Sequence, residues 1–285
     1  MPVPPYDHPL NLTMQTVATV VLWAATALIL GIAVRRSLRE RTAFPVIVVL
    51  AVAAGSIIEP MYDIAYHLLW YIPGQWTLFT SFDLPQPVWV MPAYVVVFAG
   101  PTLFLYPRLE RGMRRADLFK YAALTAFTTA LFETIAINLD LYTYYGEHPF
   151  RLFDYPLWIS AMEAAQITGF AVLATAFKRR VQGQVRLLGL FVLYPAHFAF
   201  ALLGAGFPCL IAINAPNPST WLIWGTGVLS IGFAVVSLWL VSLLNNAPAD
   251  DRQPTGVRSG NSRSEQVPAL ANPHDQSTRA ETRSR

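Results

Sequence analysis

The sequence predicts an all-α fold of the polytopic membrane class: seven transmembrane helices in one bundle, with the N-terminus outside and the C-terminus cytoplasmic. Three observations carry this expectation. Of 285 residues, 54% are hydrophobic and 13% charged, about half the charged content usual for a soluble domain. The apolar residues gather in blocks of roughly 20, the length that crosses a hydrocarbon core about 30 Å thick at 1.5 Å per residue. Between the blocks, basic residues cluster in alternate connections, as they do on the cytoplasmic side of a membrane.

In chain order, Met1 to Leu10 lack the basic region of a cleavable signal peptide, so residues 1–13 read as a short outside segment and the first block as a retained helix. The seven spans expected are Met14–Val34, Phe44–Tyr71, Val88–Tyr106, Phe119–Leu139, Pro156–Phe177, Leu187–Ile213 and Thr220–Leu244, a single membrane domain over 14–244. Orientation follows from the basic residues. Arg35, Arg36, Arg39 and Arg41 follow the first span; Arg108, Arg111, Arg114, Arg115 and Lys120 follow the third; Lys178, Arg179, Arg180 and Arg186 follow the fifth. Residues 245–285, rich in Ser, Pro, Asn, Gln, Arg and Asp, bury too little apolar surface to offset ordering entropy and are expected as a disordered cytoplasmic tail. The two long outside connections, Ile72–Pro87 and Asp140–Tyr155, are rich in Trp, Tyr, Phe and Pro, which suits either an interfacial belt or a lid over the bundle. No repeat of helix-hairpin length is apparent, which weighs against an inverted-repeat transporter.

Composition also excludes classes of function. The net charge of +3 comes from clusters that orient helices, so no nucleic-acid partner is expected. Cys209 is the only cysteine, which excludes an intrachain disulfide and a cysteine metal cluster. No Gly-x-x-x-x-Gly-Lys loop is present, and the seventh span has no lysine for a retinal Schiff base. Lys120 and Lys178 are the only lysines among 20 basic residues, which fits a high-GC bacterial genome and a multi-pass protein of the bacterial cytoplasmic membrane. In that setting the Asn11-Leu12-Thr13 sequon reads as chance.

The chemistry-bearing residues lie in the spans. Glu59, Asp63 and His67 stand four apart in the second span, a spacing that stacks them along one helix face. The fourth span adds Glu133, the fifth Glu163 with Gln166, and the sixth Tyr194 and His197. An ionised side chain at the bilayer centre costs about 2.5–3.5 kcal/mol on insertion scales, so these groups should face the bundle interior or a wet cavity. Carboxyls and imidazoles converging on one cavity are the means of acid/base chemistry. The same residues, paired off, would merely fix helix packing. Glu, Asp and His at helical spacing also resemble di-metal sites in bundles, but no Glu-x-x-His or His-x-x-x-His pair occurs on a span, so a metal is poorly supported and none is expected.

Three stretches point to a family: Gly55-Ser56-Ile57-Ile58-Glu59-Pro60-Met61-Tyr62-Asp63; Pro87-Val88-Trp89-Val90 with Tyr94 and Gly100; and Glu133 followed by Tyr142-Thr143-Tyr144-Tyr145-Gly146 and Pro156-Leu157-Trp158. Over about Ala43 to Leu244 the chain resembles the spirocyclase AveC family of bacterial membrane proteins. The Glu, Tyr-x-Tyr and Pro pattern is also similar to membrane carotenoid-biosynthesis proteins and small integral-membrane terpene cyclases. The resemblance implies closure of a dihydroxy-ketone polyketide intermediate to a spiroketal, without redox or nucleotide cofactor. That chemistry needs an acid, assigned to Glu59 or Glu133, and a base or charge stabiliser, assigned to Asp63. Glu163, His67 and His197 would orient groups or relay protons. The expected partners are a hydrophobic small-molecule substrate and membrane lipids. A carrier or proton-coupled transporter of a hydrophobic metabolite, or a structural membrane protein, would use the same residues differently.

Overall fold

A computed structural model describes residues 2–245. Of the expected tail only Asn245 lies within them; it is buried, and its side-chain amide donates to the Met113 carbonyl at 2.7 Å. The rest of that tail lies outside the described residues. Among the described residues, six helices are long and apolar enough to cross a membrane: Leu12–Glu40, Phe44–Tyr66, Val90–Glu110, Leu157–Arg180, Val185–Ile213 and Thr220–Ser242. The expected fourth span is a 24-residue helix, Arg115–Asn138, diluted by Lys120, Glu133 and four threonines.

Local chemistry sets the breaks in these helices. Helix α1 (Leu12–Glu40) starts at Asn11, whose side chain accepts from the Met14 N–H at 3.1 Å and satisfies one of the unpaired donors of the first turn. Helix α2 (Phe44–Gly55) runs into α3 (Glu59–Tyr66) through a 3-10 turn at Ser56–Ile58, because Pro60 has no N–H to close the regular bond. The third span divides into α4 (Val90–Tyr94) and α5 (Gly100–Glu110) around a π-helical turn at Val95–Ala99, just before Pro101. Helix α6 is Arg115–Asn138 and α7 is Leu157–Arg180; α8 (Leu190–Phe198) and α9 (Ala205–Ile213) flank a second π-helical turn, Ala199–Gly204, before Pro208; α10 is Thr220–Ser242. Each π turn widens the helix where a proline leaves a carbonyl without its donor.

Helix α7 is the axis of the bundle. Of its most apolar stretch 83% is buried, against 11% for α1. It packs on α5, α6, α8 and α10, whereas α1 leans on α2 and α4 at the periphery.

One end of the bundle is closed by three small antiparallel sheets where the sequence predicts connections and, for β1 at Leu68–Trp70, the end of the second span. His67 ends α3 in the left-handed conformation (φ 53°), its N–H bonded to the Asp63 carbonyl. The second span therefore stops at Tyr66, not Tyr71. Strand β1 (Leu68–Trp70) pairs with β4 (Tyr142–Tyr144). Hairpin β2–β3 (Thr77–Ser81, Leu84–Pro87) turns at Phe82-Asp83, and hairpin β5–β6 (Arg151–Leu152, Tyr155–Pro156) turns at Phe153-Asp154. All four turn residues have positive φ, between 47° and 64°, as a two-residue type I′ turn requires.

The cap exposes an internal repeat, contrary to the expectation of none. In both copies a Glu-bearing helix (α3, α6) leads to a strand (β1, β4), a hairpin with a Phe-Asp turn and a proline two residues on (Pro85, Pro156), then a fully buried Trp (Trp89, Trp158) and a second helix. Glu59 and Glu133, like Leu68 and Tyr142, stand 74 positions apart (133 − 59 and 142 − 68). The β1–β4 register pairs Leu69 with Thr143, its own equivalent at that offset, and Leu68 with Tyr144 and Trp70 with Tyr142 around it. The flanking bonds obey the same exchange: Tyr145 N–H to His67 O at 2.8 Å, and Tyr71 N–H to Leu141 O at 3.3 Å. This strand pair thus has the register of a local twofold axis. Indels in the hairpins hide the period from the sequence.

Candidate functional site

Directly beneath the β1–β4 pair lies a cavity of about 50 Å³ into which both repeats project their acids. Glu59 on α3, Glu133 on α6 and Glu163 on α7 line it together, with Tyr62, Trp70, Trp89, Tyr94, Phe98, Phe132, Tyr142, Tyr144 and Phe198 forming most of the wall. No Lys, Arg or His is among the lining residues. Trp70 meets Trp89 edge-on at 5.0 Å and Tyr142 at 4.6 Å between centroids. Both π-helical turns contribute lining residues, Val97 and Phe98 from one and Leu202 from the other. The widened turns shape the wall.

Each acid is held by a phenol. The Tyr94 hydroxyl donates to Glu59 Oε2. The Tyr144 hydroxyl donates to Glu133 Oε2 at 3.1 Å, and Tyr155 donates to Glu163 Oε2 at 3.3 Å. Tyr62 Oη lies 3.0 Å from Tyr144 Oη; since Tyr144 spends its one proton on Glu133, Tyr62 is the donor in that pair. The result is three carboxyls on one void, each with a second side-chain partner besides its phenol, Asp63 for Glu59, Tyr142 for Glu133 and Thr129 for Glu163, and none with a cationic partner among the lining residues. A carboxyl so placed can give a proton to a reacting oxygen or take one from it. Faces of Trp and Tyr can stabilise a cation formed between them.

The other expected site residues stand outside the lining. Asp63 is buried one turn from Glu59, but its Oδ2 accepts from Trp70 Nε1 at 3.1 Å and from Gln86 Nε2 at 2.6 Å. Those donors come from β1 and β3, so Asp63 ties the cap to α3. His67 shares no face with Glu59, because its left-handed backbone turns the imidazole away to Asn214 Oδ1, 2.9 Å from Nε2. It stacks on Tyr145 at 5.0 Å and lies edge-on to His148. Burial lowers the His67 imidazole below its ordinary range, and the same effect, reinforced by Arg151, pushes buried His148 down to about 3. His197 is buried against Gly169 of α7 and stacks on Phe200, away from the cavity.

The sequence reading missed the roof and walls as site residues. Tyr142 and Tyr144 alternate with Thr143 on β4, and Tyr62 follows Glu59 by three on α3; a strand period after Glu133 was the available signal. Of the two outside connections, Asp140–Tyr155 contributes Tyr142 and Tyr144 to the cavity lining, whereas Trp76, Phe82 and Phe153 are exposed, as an interfacial belt requires. Among the described residues no group of three or more His, Cys, Asp or Glu side chains is arranged to hold a metal ion. No family model matches the chain, nor does any curated protein or solved structure at a significant level.

Proposed function

We propose that this chain is a seven-span enzyme of the bacterial cytoplasmic membrane that closes a ring on a hydrophobic polyketide-like or isoprenoid-like substrate by acid/base catalysis. One observation carries the reading: Glu59, Glu133 and Glu163 converge, without counter-cations, on one aromatic-walled cavity. Against a purely structural role stands that void, since acids serving packing would be paired off. The likeness to spirocyclase AveC proteins favours dehydrative spiroketal formation as the reaction. In that chemistry one carboxylic acid protonates a hemiketal hydroxyl, which leaves as water. The resulting oxocarbenium ion is held between aromatic faces and carboxylate, and a second hydroxyl attacks it. A neighbouring carboxylate accepts the proton that hydroxyl loses. One water is released with no net change in the number of protons on the pair, and return of the proton from the second carboxyl to the first resets the site. Glu59 and Glu133, equivalent in the repeat and on opposite halves of the cap, are the candidates for acid and base, with Glu163 beside Glu133.

Seven crossings are supported by the length of α6, its packing along α7 and the pairing of β4 with β1, which brings the ends of α6 and α3 to the same side. The Arg-rich connections at the opposite end support a cytoplasmic assignment there and an outside cap.

The test is comparative metabolite profiling of a deletion strain complemented with wild type, Glu59→Gln, Glu133→Gln or Glu163→Gln, with membrane levels matched. An uncyclised hydroxylated precursor should accumulate in the deletion strain. Losing the acid or base should cost about 10²–10⁴ in rate, so Glu59→Gln and Glu133→Gln should accumulate the precursor too. An unchanged profile in the deletion strain, or full complementation by both variants, refutes the proposal.

A further inference from the structure

We propose that the apolar cleft between α1 and α6 seats the hydrocarbon chain of the substrate and is the route by which it reaches the carboxyls from the bilayer. This inference rests on the acid/base reading above and supplies what that reading lacks. At about 50 Å³ the carboxylate cavity is well below the 300–1,000 Å³ of pockets that engulf a drug-sized ligand. It has room for the reacting carbon and a departing water, and the rest of the molecule needs another seat.

A second cavity of about 190 Å³ lies alongside, lined by Met14, Val17, Ala18, Val21 and Leu22 of α1, by Phe132, Ile135 and Ala136 of α6, and by Leu139, Leu141 and Trp89. Every lining side chain is apolar. Two of them, Trp89 and Phe132, also wall the carboxylate cavity, so the two spaces share a partition. Phe132 is the immediate neighbour of Glu133. Towards the cap the cleft is closed: Asn11 N–H donates to the Asp140 carbonyl at 3.1 Å, and the Gln15 side chain bridges Gly74 O at 3.1 Å and Trp76 N–H at 2.7 Å. Sideways it is not, for Val17, Val21 and Ile135 are about half exposed on helices whose surroundings are lipid. Helix α1 is held chiefly by α2 and α4, and α6 by α7, which leaves their facing sides to the cleft. A single alkyl or isoprenoid chain matches this lining, because any polar group in it would go unpaired. A polar reacting end would lie past Phe132 and Trp89, among the acids.

Dicyclohexylcarbodiimide, a lipid-soluble reagent, reads this route without knowledge of the substrate. A carboxylic acid adds across one of its C=N bonds, and acyl transfer to nitrogen leaves a stable N-acylurea, with no other reactant and no leaving group. In proteoliposomes of the full chain, the reagent should modify Glu133, located by peptide mass spectrometry, while a water-soluble carbodiimide should not. Ala18→Phe with Ala136→Phe, which fills the cleft from both helices, should slow modification about tenfold or more, equivalent to ~1.4 kcal/mol of barrier. Phe132→Ala, which opens the partition, should accelerate it, so a poorly folded filled variant does not decide the matter alone. The proposal is overturned if wild-type Glu133 stays unmodified, if the water-soluble reagent reaches it equally, or if the filled variant blocks modification yet sustains normal ring closure in the complemented strain. Labelling gated by the cleft, with Glu59→Gln and Glu133→Gln both complementing fully, would instead retire the acid/base reading and leave the cleft standing.

Discussion

Asp63→Ala separates two roles that the sequence alone leaves merged. If Asp63 holds the cap, removing its carboxylate strands two buried donors, the Trp70 indole N–H and the Gln86 amide N–H, now 3.1 and 2.6 Å from Oδ2. Trp70 and Gln86 are both buried, Gln86 completely, so water does not replace the lost acceptor without opening the roof. A buried donor left unpaired costs about 1–3 kcal/mol, so two cost roughly 2–6 kcal/mol, less whatever β1 and β3 recover by relaxing. At 2–4 °C per kcal/mol for a domain of this size, the apparent Tm in detergent should fall by about 10 °C. The loss should be concentrated in the cap, and limited proteolysis should find new cleavage around the Phe82-Asp83 turn before the helices are cut. Asp63→Asn keeps one oxygen, which can accept from both donors as Oδ2 now does, and should stay closer to wild type than Asp63→Ala. A variant with unchanged Tm and proteolysis but lost ring closure would refute the anchoring argument and return Asp63 to the chemistry.

Two further perturbations probe the groups around the site. Gly169→Ala places a methyl 2.6 Å from His197 Nε2 and should destabilise by about 1–3 kcal/mol as overpacking; adding His197→Ala should recover part of that loss in a double-mutant cycle, and strict additivity would contradict packing as the role of His197. His148, whose imidazole is pushed down to about 3 from 6.5, binds fewer protons in the folded chain than in the unfolded one. Cap stability should therefore be complete above pH 6.5 and fall as pH drops towards 3, by up to about 1.4 kcal/mol per pH unit; the pH dependence of Tm should flatten in His148→Phe, and a profile identical to wild type would exclude His148 as its source.

The helices were legible because lipid leaves little freedom: a backbone with no water to bond must satisfy itself, and blocks of apolar residues mark where it does so. Glu133 and Glu163 were legible for the same reason, since acids in apolar helices have few places to go. His67 was misread because four-residue spacing places groups on one face only while the helix continues. Pro60 tightens that helix at its start and a left-handed residue stops it at His67, and neither event is encoded in the period. The cap escaped because its strands are two to five residues long, too short for alternation to be told from an aromatic-rich loop. The Phe-Asp turns and following prolines were in view at 82–85 and 153–156, but the two hairpins differ in length, so no constant period links them.

The repeat also explains why the site is where it is. Glu59 and Glu133 each stand nine residues before a strand of this pair, and both line the cavity beneath it. What the repeat does not duplicate is the environment of those acids. Five residues beyond Trp89 stands Tyr94, and five beyond Trp158 stands Glu163, so at matching positions one half adds a phenol to the cavity lining and the other adds a carboxyl. Two identical acids facing one substrate have no basis for dividing the work, whereas these have different proton donors and acceptors at hand. Exchanging the two positions, Tyr94→Glu with Glu163→Tyr, would leave the composition of the cavity unchanged while moving the added carboxyl to the other half. If the halves have fixed roles, ring closure should be lost in this double variant at normal membrane level; a variant that still closes the ring would mean that any two of the acids suffice, and that the asymmetry serves packing alone.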